Sequence, residues 1–374
     1  MNEDKATRYH RLKRRAGLLS VIWGGGLLVA LLGTGGSVAL RDAATAAAAR
    51  PAAPAWLVPS TVVAVYVVLL AAVSEIGALP LAFYRGFLLE HRYGLSAQRA
   101  GGWLRDHVKA SALGLAFGLA AAILVYLAIA RWPRGWWLPA AAGFSLFTVV
   151  LARLGPVLLL PLFHRCKPLD REALRARLIA LASRAGARVV GAFEWGLSEK
   201  TKKANAALTG LGATRRILVA DNLLAEYSDD EIEVILAHEL GHHVHHDIWK
   251  GILFEVVLTL GGFYLASRLL VALAPVIGLQ GPADVAGLPL LSLTGGVLSL
   301  LLLPAANAIS RVHERRADRF ALDLTRNPQA FISAMRRLGA QNLAEENPSR
   351  LVRLVLHSHP PIKERIAAAE RWNQ

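Results

Sequence analysis

Residues 228–277 read SDDEIEVILAHELGHHVHHDIWKGILFEVVLTLGGFYLASRLLVALAPVI, and two solvents are written into that one stretch. Its first half opens on Ser228 and three acids, Asp229, Asp230 and Glu231, the composition of a helix N-terminus exposed to water. From 251 to 277 only Glu255 and Arg268 are charged, over a length sufficient to cross a bilayer as a helix. The same pattern predicts five further spans, so that the set is 17–40, 55–84, 111–130, 136–163, 251–277 and 286–309. The reading is therefore a mainly α fold: a polytopic membrane helical bundle with a small α+β region on its cytoplasmic side.

Composition supports a membrane protein. The 374 residues carry 42 Lys+Arg against 27 Asp+Glu, a net charge of +15, yet 54% are hydrophobic and the mean hydropathy is +0.40. A basic nucleic-acid-binding domain or a disordered basic chain would pair that charge with negative hydropathy, so no nucleic-acid partner is expected. The lone Cys166 excludes an intramolecular disulfide and a multi-Cys metal site. Lys5, Arg8, Arg11, Lys13, Arg14 and Arg15 precede the first span, and Arg85, Arg92, Arg99, Arg105 and Lys109 fill the second connection. The alternate connections hold only Arg41 with Arg50 and Arg131 with Arg134, and residues 278–285 hold no Lys or Arg. This bias puts both termini and residues 164–250 in the cytoplasm. The excess positive charge is then expected beside anionic lipid headgroups.

The chain divides into 1–163, a membrane domain of four spans, and 164–374, which holds the 228–250 helix, a two-span hairpin at 251–309 and a C-terminal segment. In the second part a helix is expected over 170–185 and strands around 188–195 and 216–219. The tail reads as helical to about Thr325, broken at Asn327-Pro328 and again at Pro360-Pro361. The two non-membrane regions, too short to stand alone, are expected to fold together. The Ala-rich stretch 43–49 reads as a short connector outside the membrane. Glu75, Arg153, Glu255 and Arg268, costly in lipid, are expected to pair or to line an internal polar space.

The chemistry lies in His238-Glu239-Leu240-Gly241-His242. Two imidazoles four residues apart share one helix face and can supply two of the three protein ligands of one Zn²⁺. Glu239, beside the first of them, can serve as general base toward a water and pass the proton to a leaving amine, which is what amide hydrolysis needs. The bland alternative is a solvated His-rich helix end, since His243, His245 and His246 come next, although Leu236, Ala237 and Gly241 make the flank compact. A third ligand within the same run would require Gly and His where His245 and Ile248 stand. A distant acid is therefore needed. Glu314, in Ser310-Arg311-Val312-His313-Glu314-Arg315-Arg316-Ala317-Asp318, is the outstanding choice, with Asp318 one turn on to orient a ligand imidazole. An ordinary charged helix with i,i+4 pairs is the alternative there.

Together, Asn307-x-x-Ser310-Arg311-x-x-Glu314-x-x-x-Asp318, the H-E-L-G-H run and His359-Pro360-Pro361-x-x-Glu364-Arg365 resemble the type I CAAX prenyl proteases, integral-membrane zinc metallopeptidases. The resemblance extends over most of the chain. Arg92-Tyr93-Gly94-Leu95, Pro161-Leu162-Phe163 and Asn205-Ala206 before Arg215-Arg216-Ile217 fall where that family has similar signatures. It implies one Zn²⁺ per chain on His238, His242 and Glu314, Glu239 as base, and His359 and Arg365 as catalytic residues that contact substrate and stabilise the oxyanion. It implies that Asn205 and Ala206 belong to a strand that binds an extended substrate, and that the helices enclose a water-filled chamber. The partners implied are the lipid bilayer and a peptide or membrane-protein substrate, with or without a lipid.

Departures bear on the substrate. Glu199-Lys200-Thr201-Lys202-Lys203 replaces a Ser/His-rich segment, the long insertion common in eukaryotic members is absent, and six spans are counted where seven are usual. The short, Ala/Arg/Leu-rich chain points to a bacterial member in the inner membrane. Two rival readings are a heat-shock-type quality-control membrane protease and a metal transporter loading through its His cluster. The transporter leaves Glu239, Glu314, Asp318, His359 and Arg365 without a task.

Overall fold

The computed structural model describes residues 4–49, 58–210 and 212–372. Arg50 and the side chain of Arg153 lie outside the described residues. The membrane part holds α1 (Lys5–Gly33), α2 (Gly36–Ala48), α3 (Val58–Phe83) running on through a π turn (Tyr84–Leu88) into α4 (Leu89–Arg92), then α5 (Ala100–Arg131), α6 (Trp137–Leu158) and α7 (Leu160–Phe163). Next come β1 (Cys166–Pro168), α8 (Glu172–Arg184), β2 (Ala192–Trp195), β3 (Ala206–Thr209), β4 (Arg216–Ala220), α9 (Asp221–Glu226) and α10 (Asp229–Val244). The chain returns through α11 (Asp247–Leu273) and α12 (Leu288–Thr325) and ends in α13 (Pro328–Gln341), α14 (Arg350–Leu356) and α15 (Ile362–Trp372).

Among the described residues, five helical stretches are long and apolar enough to cross a membrane: Lys5–Gly33, Pro59–Arg92, Ala100–Arg131, Asp247–Leu273 and Val285–Thr325; the fourth expected span appears as the apolar stretch Trp137–Ala152 of α6. The first expected span, 17–40, is cut short because Gly35 takes a left-handed conformation, φ 75°, and turns the chain after Gly33. Residues 43–49 do not form the expected connector. They fall almost wholly within α2, where alanine has the best intrinsic helix propensity and Ala44 and Ala48 are buried. Ser37 fixes the start of that helix by bonding Tyr66 Oη and the Ala286 carbonyl, each at 2.6 Å.

The expectation for intramembrane charges holds in part. Glu75 Oε1 meets His107 Nε2 at 2.5 Å. Glu255 instead borders a largely apolar cavity of about 420 Å³ between α5, α6, α11 and α12. Arg268 is exposed and has no ion pair among the described residues. It lies about 30 Å along α11 from Asp247 by the 1.5 Å rise per residue, near the opposite surface of the hydrocarbon, where a pair is not required.

The extramembrane regions do fold together, around one core. Leu174, Leu178 and Leu181 of α8, Ile217 and Val219 of β4, Ile232, Leu236 and Leu240 of α10, Ala321 of α12 and Phe331 of α13 are buried in a single cluster. Its sheet has the order β1-β2-β4-β3, with β2 parallel to β4 and the outer pairs antiparallel. Strands expected near 195 and 219 are present, β1 was not foreseen, and the helical stretch expected between 328 and 360 is interrupted over 342–349, giving α13 and α14. Among the described residues β3 pairs only with β4, which leaves its outer edge open to a further strand. The last expected span is the first part of α12, 38 residues long, which carries the membrane helix onward into the Glu314 motif without a break despite Pro304.

Candidate active site

Helix α10 is fixed at its start by a reciprocal cap: Ser228 accepts from the Glu231 amide and the Glu231 carboxylate accepts from the Ser228 amide at 2.8 Å. Such caps stabilise a helix by about 1 kcal/mol. The helix then lies directly on α12. A Cβ on Gly241 would come within 2.9 Å of Ala317 Cα, so glycine here sets the close approach that brings Glu314 to the His pair.

His238 Nε2 and His242 Nε2 are 3.3 Å apart, 3.4 Å from Glu314 Oε2 and 3.3 Å from Glu314 Oε1 respectively. One ligand atom from each of these residues lies within 4.8 Å of the others, a group that could hold a metal ion. The outer nitrogens settle the tautomers. His238 Nδ1 is 2.8 Å from Asp318 Oδ1, and His242 Nδ1 is 3.0 Å from Asp247 Oδ2, so each ring donates outward and turns an Nε2 lone pair inward. Two lone pairs and a carboxylate then face one another, and the buried Glu314 Oε2 has no hydrogen-bond partner among the described residues. That convergence is repulsive unless a cation sits in it, so the donor set fits a metal. Burial opposes charge on His238, yet the neighbouring carboxylates of Asp318 and Glu314 push its pKa up to about 9, so the surroundings favour positive charge at this position.

Asp247 was not anticipated. His246 in a left-handed turn, φ 58°, starts α11 so that its first residue points back at His242, and Arg316, Lys250 and His313 surround the buried carboxylate. The one signal in the sequence was an acid directly after the His cluster; the turn that aims it was not legible.

Glu239 lies beside these groups without a hydrogen bond or ion pair among the described residues, and burial raises its carboxyl above the ordinary value. It borders a cleft of about 180 Å³ together with Asn205, Ala206, His238, Glu314, His359 and Arg365. All the residues singled out in the sequence thus come together, with Asp318 behind them. Exposed His359 reaches Glu314 Oε1 with Nε2 at 3.3 Å. Arg365 is more committed than an oxyanion donor alone: Nε and Nη2 grip both oxygens of Asp318 at 2.8 and 2.5 Å, and burial is outweighed by that carboxylate, which holds the guanidinium above its usual range. Leu223, Ile235, Met335 and Leu338 give the cleft an apolar wall, and Asn342 adds a buried Oδ1 with no hydrogen-bond partner among the described residues.

Residues 168–373 match the model of peptidase family M48, and residues 2–165 match one described as CAAX prenyl protease N-terminal, five membrane helices. The described part of that range has five helices longer than two turns, the one not counted from sequence being α2. The uncharacterized metalloprotease YhfN of Bacillus subtilis is 33% identical over 310 residues, 82% of this chain and 72% of that protein. CAAX prenyl protease 1 of Saccharomyces cerevisiae is 27% identical, covering 81% of this chain and 70% of its own. The crystal structure of S. mikatae Ste24p shares the fold with a TM-score of 0.87 over 98% of this chain and 88% of that chain, at 24% identity. These matches favour the prenyl-protease-like reading over the heat-shock-type protease and the transporter.

Proposed function

The chain belongs to peptidase family M48 and is a membrane-embedded metalloprotease; from that premise we propose that it is a zinc endopeptidase whose metal is held by His238, His242 and Glu314, with Glu239 as general base. A bound Zn²⁺ would supply Lewis acidity and lower the pKa of water toward neutrality. The chain's own groups do the rest. Asp318 and Asp247 hold the two imidazoles in the ligating tautomer. The free carboxylate of Glu239 takes a proton from the attacking water and delivers it to the leaving amine. His359 offers an N–H donor, and Arg365, through the guanidinium edge that Asp318 leaves open, offers positive charge where the carbonyl oxygen becomes an oxyanion.

An extended substrate would add to the outer edge of β3 at Asn205–Ala206 through main-chain hydrogen bonds, with an apolar side chain against Leu223, Ile235, Met335 and Leu338. The observation that carries the reading is Glu239, a carboxylate with no partner among the described residues, in a cleft beside three convergent ligand atoms. We place the site on the cytoplasmic side of a bacterial inner membrane, from the Lys/Arg bias. Relatives named CAAX prenyl protease suggest a lipidated peptide as one substrate class. Purified protein given a farnesylated CAAX peptide and its unprenylated twin tests this: zinc-dependent cleavage of either supports the peptidase, and the rate ratio reads lipid recognition. Zinc-loaded protein that cuts neither peptide, nor an unfolded protein substrate, would contradict it.

A further inference from the structure

The metal-site end of the bundle holds a second cavity of about 720 Å³ that shares no lining residue with the cleft. It lies among α1, the end of α3 with its π turn, the start of α5 and the loop before β3, and Lys13, Arg85, Lys200 and Lys203 bring four cations to it. The carboxylates there are outnumbered. Glu90 alone serves two ammonium groups, Lys13 at 2.8 Å and Lys203 at 2.9 Å, and Asp106 serves Lys200 at 2.6 Å. Burial and the neighbouring Lys13 charge pull the Lys203 ammonium below its usual range, although Glu90 opposes them.

Arg85 has no hydrogen-bond or ion-pair partner among the described residues. Its Nη1 reaches across to α1, 3.9 Å from where a Cβ on Gly17 would stand. It belongs to the π turn Tyr84–Leu88, a helix irregularity that often marks a working site. The surroundings are those of a bilayer boundary. Leu18 and Leu19 of α1, Leu88 of the π turn, and Leu104 and Val108 of α5 are exposed apolar side chains on the elements that form the cavity, and the Trp103 indole lines it.

We propose that this cavity binds the phosphate of an anionic phospholipid headgroup, with Arg85 as its principal cation and the acyl chains lying on the exposed apolar faces of α1 and α5. A basic pocket between helix ends at the membrane surface is suited to such a headgroup. Full-length protein in detergent, titrated with dioleoyl phosphatidylglycerol or dioleoyl phosphatidylcholine and read by native mass spectrometry, tests it. Wild type should retain one phosphatidylglycerol in preference to phosphatidylcholine. Arg85→Gln should weaken phosphatidylglycerol about fivefold, the value of one cation near a membrane surface, leaving phosphatidylcholine unchanged. Arg85→Lys should recover most of the loss, and Arg131→Gln, at the other end of α5, should change nothing. Equal retention of the two lipids, or a preference unmoved by Arg85→Gln, would overturn the proposal. Inorganic phosphate that binds at millimolar concentration and displaces the lipid would make this a free-phosphate site and overturn it equally. Should Arg85→Gln fail to fold, the wild-type preference and its response to phosphate still decide.

Discussion

At the scale of single residues, each imidazole of the proposed ligand pair is held by a carboxylate on another helix or turn, His238 by Asp318 and His242 by Asp247. Loss of such a partner weakens metal affinity by about 10–100-fold. Asp247→Ala should therefore lower zinc affinity within that range, measured by competition with a chromogenic chelator, while Asp247→Asn, which keeps an oxygen acceptor, falls between. An unchanged affinity for Asp247→Ala would remove Asp247 from the site. Glu231 gives a pH test away from the metal. Burial would raise its carboxyl, but bonds from Ser333 and the Ser228 backbone and the charge of Arg337 outweigh burial and hold it below the ordinary value. A depressed folded pKa contributes stability that is complete above the unfolded value, about 4.3, and is lost as pH falls through the folded one. Glu231→Gln should thus lower the melting temperature at pH 7, and its deficit relative to wild type should shrink below about pH 4. A deficit independent of pH would assign the loss to packing.

Helices and strands differ in how plainly they announced themselves. α10 was legible because a Ser cap, three acids and the i,i+4 His pair all agree on one helix, and the Glu314 motif was legible because an acid pair at the same spacing comes directly after a span. The end of the first span and helix α2 were not, since a left-handed Gly35 is invisible to hydropathy and an alanine run fits a connector as well as a helix packed on α3. β3 is a four-residue Ala-Ala-Leu-Thr strand with little β-propensity, and only the resemblance pointed to it. Asp247 was hidden by a turn through His246. The contact between α10 and α12 makes its own prediction. With only 2.9 Å between a Cβ on Gly241 and Ala317 Cα, Gly241→Ala must push the helices apart. Overpacking of this kind costs about 1–3 kcal/mol, and the separation should weaken zinc binding as well as lower the melting temperature. A Gly241→Ala protein with wild-type zinc affinity would show that the close approach does not position Glu314.

Across the whole molecule, one core joins the β-sheet region to the C-terminal helices, and a membrane helix runs uninterrupted into the metal site. The site is thus assembled from segments far apart in sequence, and Phe331, fully buried in that core, is a test of it. Phe331→Ala should cost about 3–5 kcal/mol, lowering the melting temperature of the extramembrane unit and its zinc retention together; loss of one without the other would separate the site from the core. In the proposed mechanism Glu239 acts as base beside a metal it does not hold. The most direct test of that role is zinc content and peptide cleavage of detergent-purified wild type and Glu239→Gln, measured side by side. About one zinc is expected in both proteins, because the substitution leaves the three proposed ligands intact, and cleavage should fall at least about 10²-fold in the variant. Glu239→Gln protein that keeps its zinc and cleaves at the wild-type rate would contradict that role.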